Sequence, residues 1–225
     1  MHNSSNRYSR IFRGAAVVAT LVIAAQCKAG QISAQIADAA GQPVVDAVVY
    51  ANLVSGNAPV KPKRDASVEQ INKEFVPLVS VVQTGTLVNF PNRDKVRHHV
   101  YSFSPAKTFE IKLYSGVPAK PILFDKPGEV VLGCNIHDTM IAYLLVVDTP
   151  IFAKTDKRGT AMLENLSAGE YEVHVWYPGT AVSSVPAPRK VKLSANESAT
   201  LTFAFNLKPQ SLAAPAPAPA PSTGK

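Results

Sequence analysis

From residue 30 onward, apolar residues come in short continuous or alternating runs and almost nowhere at helical spacing. Runs rich in Val, Ile, Tyr and Phe occupy 44–50, 78–82, 87–90, 100–103, 130–132, 140–147, 171–177 and 199–205, separated by Gly, Pro, Asn and Asp. β-branched and aromatic residues suit a half-buried pleated surface, and the breakers mark tight turns. Strands this short and this regularly spaced predict an all-β chain folded as a sandwich or barrel.

Turn chemistry divides the chain. The stretch 59–63 (PVKPK) reads as a hinge into a new unit, which Asp148-Thr149-Pro150 closes. The pieces on either side carry their own signals. A Gly41-Gln42-Pro43 turn precedes the run at 44–50; Thr155-Asp156-Lys157-Arg158-Gly159 and Leu166-Ser167-Ala168-Gly169-Glu170-Tyr171 precede the run at 171–177. That set resembles the small prealbumin-like sandwiches of carboxypeptidase regulatory domains, with their TD-x-x-G turn and L-x-A-G-x-Y corner. The resemblance implies one sandwich made of 30–58 and 149–207, interrupted by a domain at 59–148. Insertion at a surface loop is physically tolerable. The alternative is one enlarged domain with extra strands on both flanks. The stretch 208–225, with its alternating Ala-Pro run, cannot pair in a sheet and predicts an extended, disordered tail.

The formal charge of +7 changes meaning once it is located. Residues 1–29 hold Arg7, Arg10, Arg13 and Lys28 and no acid, so the rest carries 19 bases against 16 acids, or +3. That excess is too mild and too scattered for a nucleic-acid binder. The first segment reads instead as a signal peptide: a basic stretch, a small and apolar run at 14–25, and Cys27-Lys28-Ala29. The run is too short to span a bilayer, and Ala29 suits cleavage, so the expected mature chain starts at Gly30 and is exported, to the periplasm. Gln26 stands where a lipidated Cys27 would need a small residue.

Cleavage leaves Cys134 as the single cysteine, with no partner for an intrachain disulfide. An unpaired exported thiol is a liability unless it is buried or something occupies it. The residues after it suggest an occupant. Cys134-Asn135-Ile136-His137-Asp138-Thr139-Met140 offers a thiolate, an imidazole and a thioether in the pattern C-x2-H-x2-M. Soft donors of decreasing strength on one loop suit copper, and a thioether is not a usual zinc ligand. A fourth donor is available at His98-His99, after the run at 87–90 and Asn92. Adjacent strand residues point to opposite faces, so one of the pair reaches a metal.

Here the chain resembles the cupredoxins, in particular the plastocyanin and amicyanin branch, with C-x2-H-x2–4-M at the last three ligands and a "PHNV" segment at the first. The likeness covers roughly 65–147. It includes Phe75-Val76-Pro77, the stretch from Gly85 through Asn92, and the Pro127-Gly128-Glu129 turn. It implies a Greek-key β-sandwich binding one mononuclear type 1 copper through His98, Cys134, His137 and Met140. It also implies a non-enzymatic carrier passing single electrons between redox partner proteins such as a periplasmic dehydrogenase or a cytochrome c. His137 takes the role of electron port, with Ile136 and Met140 as candidates for an apolar patch around it. Where the family has Asn after the first ligand this chain has His99, a brace for the cysteine loop or an alternative ligand; Asn92 is a further candidate for either. More loosely, the whole chain resembles bacterial methylamine utilisation proteins.

Ligand supply excludes a multicopper oxidase acting alone and argues against a copper nitrite reductase. A binuclear centre needs two cysteines, and a multicopper oxidase needs more histidines than His98, His99, His137 and His174. His174 reads as exposed and Trp176 as packing. No G-x-S-x-G, H-E-x-x-H or phosphate-binding glycine loop is present. Two other functions stay open: copper storage or delivery, and a non-redox interaction module.

Overall fold

The computed structural model describes residues 29–55, 65–118 and 120–207; the expected leader up to residue 28, the hinge at 59–63 and the Ala-Pro tail lie outside these. Apart from a single 3-10 turn at Val182–Ser184, every regular element among the described residues is a strand. In chain order the first nine are β1 (Gly30–Asp38), β2 (Val48–Leu53), β3 (Asp65–Ser67), β4 (Glu69–Ile71), β5 (Glu74–Val76), β6 (Val79–Gln83), β7 (Thr86–Asn89), β8 (His98–Ser104) and β9 (Lys107–Tyr114). They are followed by β10 (Ile122–Phe124), β11 (Gly128–Gly133), β12 (Ile141–Val147), β13 (Phe152–Lys154), β14 (Thr160–Leu166), β15 (Gly169–Trp176), β16 (Arg189–Leu193) and β17 (Ser198–Phe205). The all-β expectation holds.

Period-two alternation builds the first core. In β1, Ile32, Ala34 and Ile36 point inward, and in β15 so do Tyr171, Val173 and Val175. The sheets β14-β1-β17 and β13-β2-β15-β16 close over these side chains. Two turns pin the arrangement. The Tyr171 hydroxyl donates back to the Ser167 carbonyl at 2.8 Å, and the Asp156 carboxylate accepts the N–H groups of Arg158 and Thr160 at 2.9 and 3.0 Å. Gly159 has φ +73, and a Cβ there would fall against the Ile36 carbonyl oxygen. Only glycine fits that approach.

The run at 44–50 is broken in the structure. Asp46 takes φ 61, so the strand begins only at Val48. Thr155 holds the kink, its hydroxyl donating to Val44 O at 2.7 Å and accepting the Ala47 N–H at 2.9 Å.

A second core lies between the five-stranded sheet β6-β12-β11-β8-β9 and the three-stranded sheet β10-β7-β3. Phe75, Phe90, Phe124, Val130 and Leu132 fill it, and Cys134 and Met140 belong to it. Strand β12 is buried along nearly its whole length. Ala142, Leu144 and Val146 face this core, while Leu145 and Val147 face Val48, Phe152 and Trp176 of β2, β13 and β15 in a third cluster. Burial on both faces is why β12 reads as a continuous apolar run. Trp176 packs there as expected, its Nε1 donating to Glu129 Oε2 at 3.3 Å. His174 is not simply exposed: it stacks on Tyr50 with centroids 4.9 Å apart.

Candidate metal centre

Strand β7 runs out through Phe90 and Pro91 into a loop that re-enters the sheet at His98. Asn92 shapes that loop from inside. Its carboxamide donates to the carbonyls of Val96 and Tyr114 at 2.8 and 3.0 Å, and its oxygen accepts the Asp94 N–H at 2.9 Å. Tyr114 in turn donates its hydroxyl to Gln70 Oε1 and the Phe90 carbonyl, and burial pushes its pKa up to about 12. Asn92 is therefore fully engaged by neighbouring groups, as a brace.

His98 is fully buried, with Nε2 2.7 Å from Asp94 Oδ2. A carboxylate accepts, so this contact puts the imidazole proton on Nε2 and leaves the Nδ1 lone pair free. Nδ1 faces Cys134 Sγ at 4.0 Å. Burial favours the neutral acid at Asp94, but the Lys73 N–H, the His98 ring and the Asn72 N–H outweigh it and hold the carboxyl below its usual range.

Strand β11, the antiparallel neighbour of β8 in the same sheet, delivers Cys134. Gly133 just before it lets the Tyr101 ring lie close, since a Cβ there would meet that ring at 2.8 Å and push it aside. Within the loop, the Met140 N–H donates to the His137 carbonyl at 2.9 Å, which turns His137 back so that its Nδ1 lies 4.0 Å from Cys134 Sγ. Burial, then the nearby Cys134 and Asp138, raise the Tyr101 pKa. Cys134 and Met140 are each 2% exposed, and His137 is half-buried.

The donor atoms of His98, Cys134 and His137 all lie within 4.8 Å of one another. Bonds of about 2.0 Å to nitrogen and about 2.3 Å to sulfur, roughly 120° apart, put N and S about 3.8 Å from each other. The observed 4.0 Å separations match one ion held between the three side chains. The residues present thus fit a soft first-row metal, with the Met140 thioether buried in the same core cluster.

His99 is turned away. Its Nε2 sits 2.9 Å from Glu110 Oε1 on β9, as strand alternation requires of a residue next to His98. Met140 is 2% exposed and so contributes no surface beside His137, whereas Ile136 is 46% exposed. Asp94, Gln70, Tyr114 and Tyr101 were not legible beforehand. The one available signal was a carboxylate four residues before His98, and inside a loop that spacing means nothing until the backbone path is known.

The fold and the donor set together resemble the cupredoxins: an all-β sandwich with two imidazoles, a thiolate and a thioether gathered at one end. No protein-family model matches the chain, and none of the curated proteins does. Among solved structures, a copper-containing nitrite reductase from Thermus scotoductus SA-01 is 25% identical over 52% of this chain, with a TM-score of 0.36. This chain spans 28% of that reductase's length. A purple cupredoxin from Nitrosopumilus maritimus is 20% identical over 37% of this chain and all of its own, with a TM-score of 0.33. A reduced amicyanin mutant is 17% identical over 44% of this chain and 99% of its own, with a TM-score of 0.35. These superpositions are loose.

Proposed function

We propose that this chain is an exported, periplasmic type 1 copper protein that carries single electrons, with His98, Cys134, His137 and Met140 holding one copper ion. The observation that carries the reading is the close gathering of one thiolate and two imidazole nitrogens from β8 and the β11–β12 loop. Bound copper would supply one-electron exchange between Cu(I) and Cu(II). The chain's own residues do the rest. Asp94 fixes the His98 ring in the tautomer that offers Nδ1, and apolar neighbours such as Phe90 and Leu132 keep water from Cys134. His137, half-buried, is the route to the surface. The burial of Cys134 favours electron transfer over copper delivery, which needs a thiolate that a recipient can reach.

The domain limits belong to the same proposal: a leader at 1–29, a copper domain at 59–148 set into a second sandwich of 30–58 and 149–207, and a tail at 208–225. Separate apolar clusters for 32–51 with 161–205 and for 68–146 support that division.

An optical spectrum with added copper(II) tests the function. An intense blue band, bleached by a reductant, restored on reoxidation and absent from Cys134→Ser, is the expected outcome. Copper held only as Cu(I), with no such band, would sink the electron-transfer reading.

A further inference from the structure

The geometry points to a second binding site, separate from the metal centre, for a small neutral apolar molecule that carries a carbonyl oxygen. A cleft of about 610 Å³ opens between β3, β6, β7 and β13. That lies within the range of about 300–1,000 Å³ typical of small-molecule sites. Its walls come from two sides: Val68, Val82, Val88 and Leu144 from the second core, and Pro150 and Phe152 from the segment that follows β12. None of the four metal-centre residues lines it, so the inference is independent of the copper reading.

Gln83 supplies the directional contact. It lines the cleft, is 4% exposed, and its buried Nε2 has no acceptor among the described residues. A buried amide donor without an acceptor costs stability, and a carbonyl oxygen is an acceptor that suits it. Lys154, the one cation on the lining, is already committed: its Nζ lies 2.7 Å from Asp46 Oδ1 and donates to Val79 O at 2.8 Å. With that ammonium matched and the exposed Asp65 also on the lining, an anion gains nothing here, so the ligand is neutral. A peptide strand fits less well. Strand β6 is an edge, and since β12 bonds to Leu78 and Thr84, alternation turns the backbones of Val79, Val81 and Gln83 outward. Two of those three carbonyls are capped, by Lys154 and by the Thr86 hydroxyl at 2.7 Å, which leaves too few acceptors for an added ladder.

Benzophenone and diphenylmethane differ only in a carbonyl that replaces a methylene, which makes them a matched pair for the test. Titrated into the isotope-labelled full chain and followed by NMR, benzophenone should move the Gln83 side-chain amide signals and the methyl signals of Val82, Val88 and Leu144. It should bind about tenfold more tightly than diphenylmethane. Gln83→Met nearly keeps the volume and removes the donor, so it should erase that preference while both compounds still bind. If the variant does not fold, the matched pair on the unaltered chain decides by itself. Equal affinities on the unaltered chain overturn the carbonyl ligand. Signal changes centred outside the cleft, or none at all, overturn the site.

Discussion

The turn at 155–160 and the loop at 134–140 both leave one strand and enter the next, yet they use their polar atoms differently. In the turn, Asp156 takes the N–H groups of Arg158 and Thr160 and the Arg158 Nε at 3.1 Å, and Thr155 reaches two backbone groups of the kink at Asp46. Each of these polar side chains is answered from within the chain. In the loop, the backbone closes with the Met140 to His137 bond, while Cys134 faces two imidazole nitrogens at 4.0 Å, too far for strong hydrogen bonds. Buried polar and soft atoms are ordinarily satisfied by near neighbours. A loop that gathers them at bonding distance from a common centre, and not from one another, is arranged for something that comes from outside.

Substitutions in the two places should therefore fail in different ways. The largest effect is expected at Cys134→Ser. Copper at about a thousand times its Kd stabilises the intact chain by about 4 kcal/mol, visible in calorimetry as a raised Tm, and the variant should lose that increment. Its metal-free stability should fall by about 1–3 kcal/mol, because a hydroxyl replaces a thiol buried in the apolar core. A Tm rise with copper that survives the substitution would show that the ion binds elsewhere.

Gly159→Ala comes next and should behave inversely. Forcing a Cβ toward the Ile36 carbonyl at positive φ is expected to cost about 3 kcal/mol in denaturant unfolding, with or without copper. The visible band of the surviving folded protein should be unchanged. Asp94→Asn tests the support beneath the metal centre. Loss of the carboxylate that orients His98 is expected to weaken copper binding about 10- to 100-fold in a chelator competition, an effect Asp156→Asn should not share.

The smallest effect concerns acid. The Thr160 N–H, followed by contacts with Arg158, holds the Asp156 carboxyl below its usual range. A group with a depressed folded pKa adds stability above its unfolded pKa and loses it as pH falls through the folded one. The Asp156 turn should therefore weaken only below the ordinary aspartate range, near pH 4 and under. Amide exchange at Arg158 and Thr160 should accelerate there, and Asp156→Asn should remove the pH dependence.

Much of the fold was readable from local pattern, because alternation is a local property. Strands β6, β7, β11, β12, β15 and β17 lie where apolar runs predicted them, within a residue or two. The run at 44–50 failed because its apolar residues span a kink held by Thr155, more than a hundred residues away. Strand β9 was not singled out although Phe109, Ile111 and Leu113 alternate along it. It is an edge strand with much of its surface exposed, so its apolar signal is diluted by Lys and Glu.

The candidate site divides in the same way. The sequence alone determined that this chain is all-β, that Cys134, His137 and Met140 sit on one short loop, and that only one of two neighbouring histidines is able to join them. Spacing along a chain fixes such things because they depend on a few consecutive dihedral angles. Tertiary structure decided that His98 is the one turned toward Cys134, that Glu110 captures His99, and that Asp94 and Asn92 hold the ligand loop. The contact of His98 with Cys134, and the ties of the ligand loop to Asn72, Lys73 and Tyr114, join segments that meet only when the sheet closes, and no pattern of neighbouring residues encodes where a strand from elsewhere comes to lie.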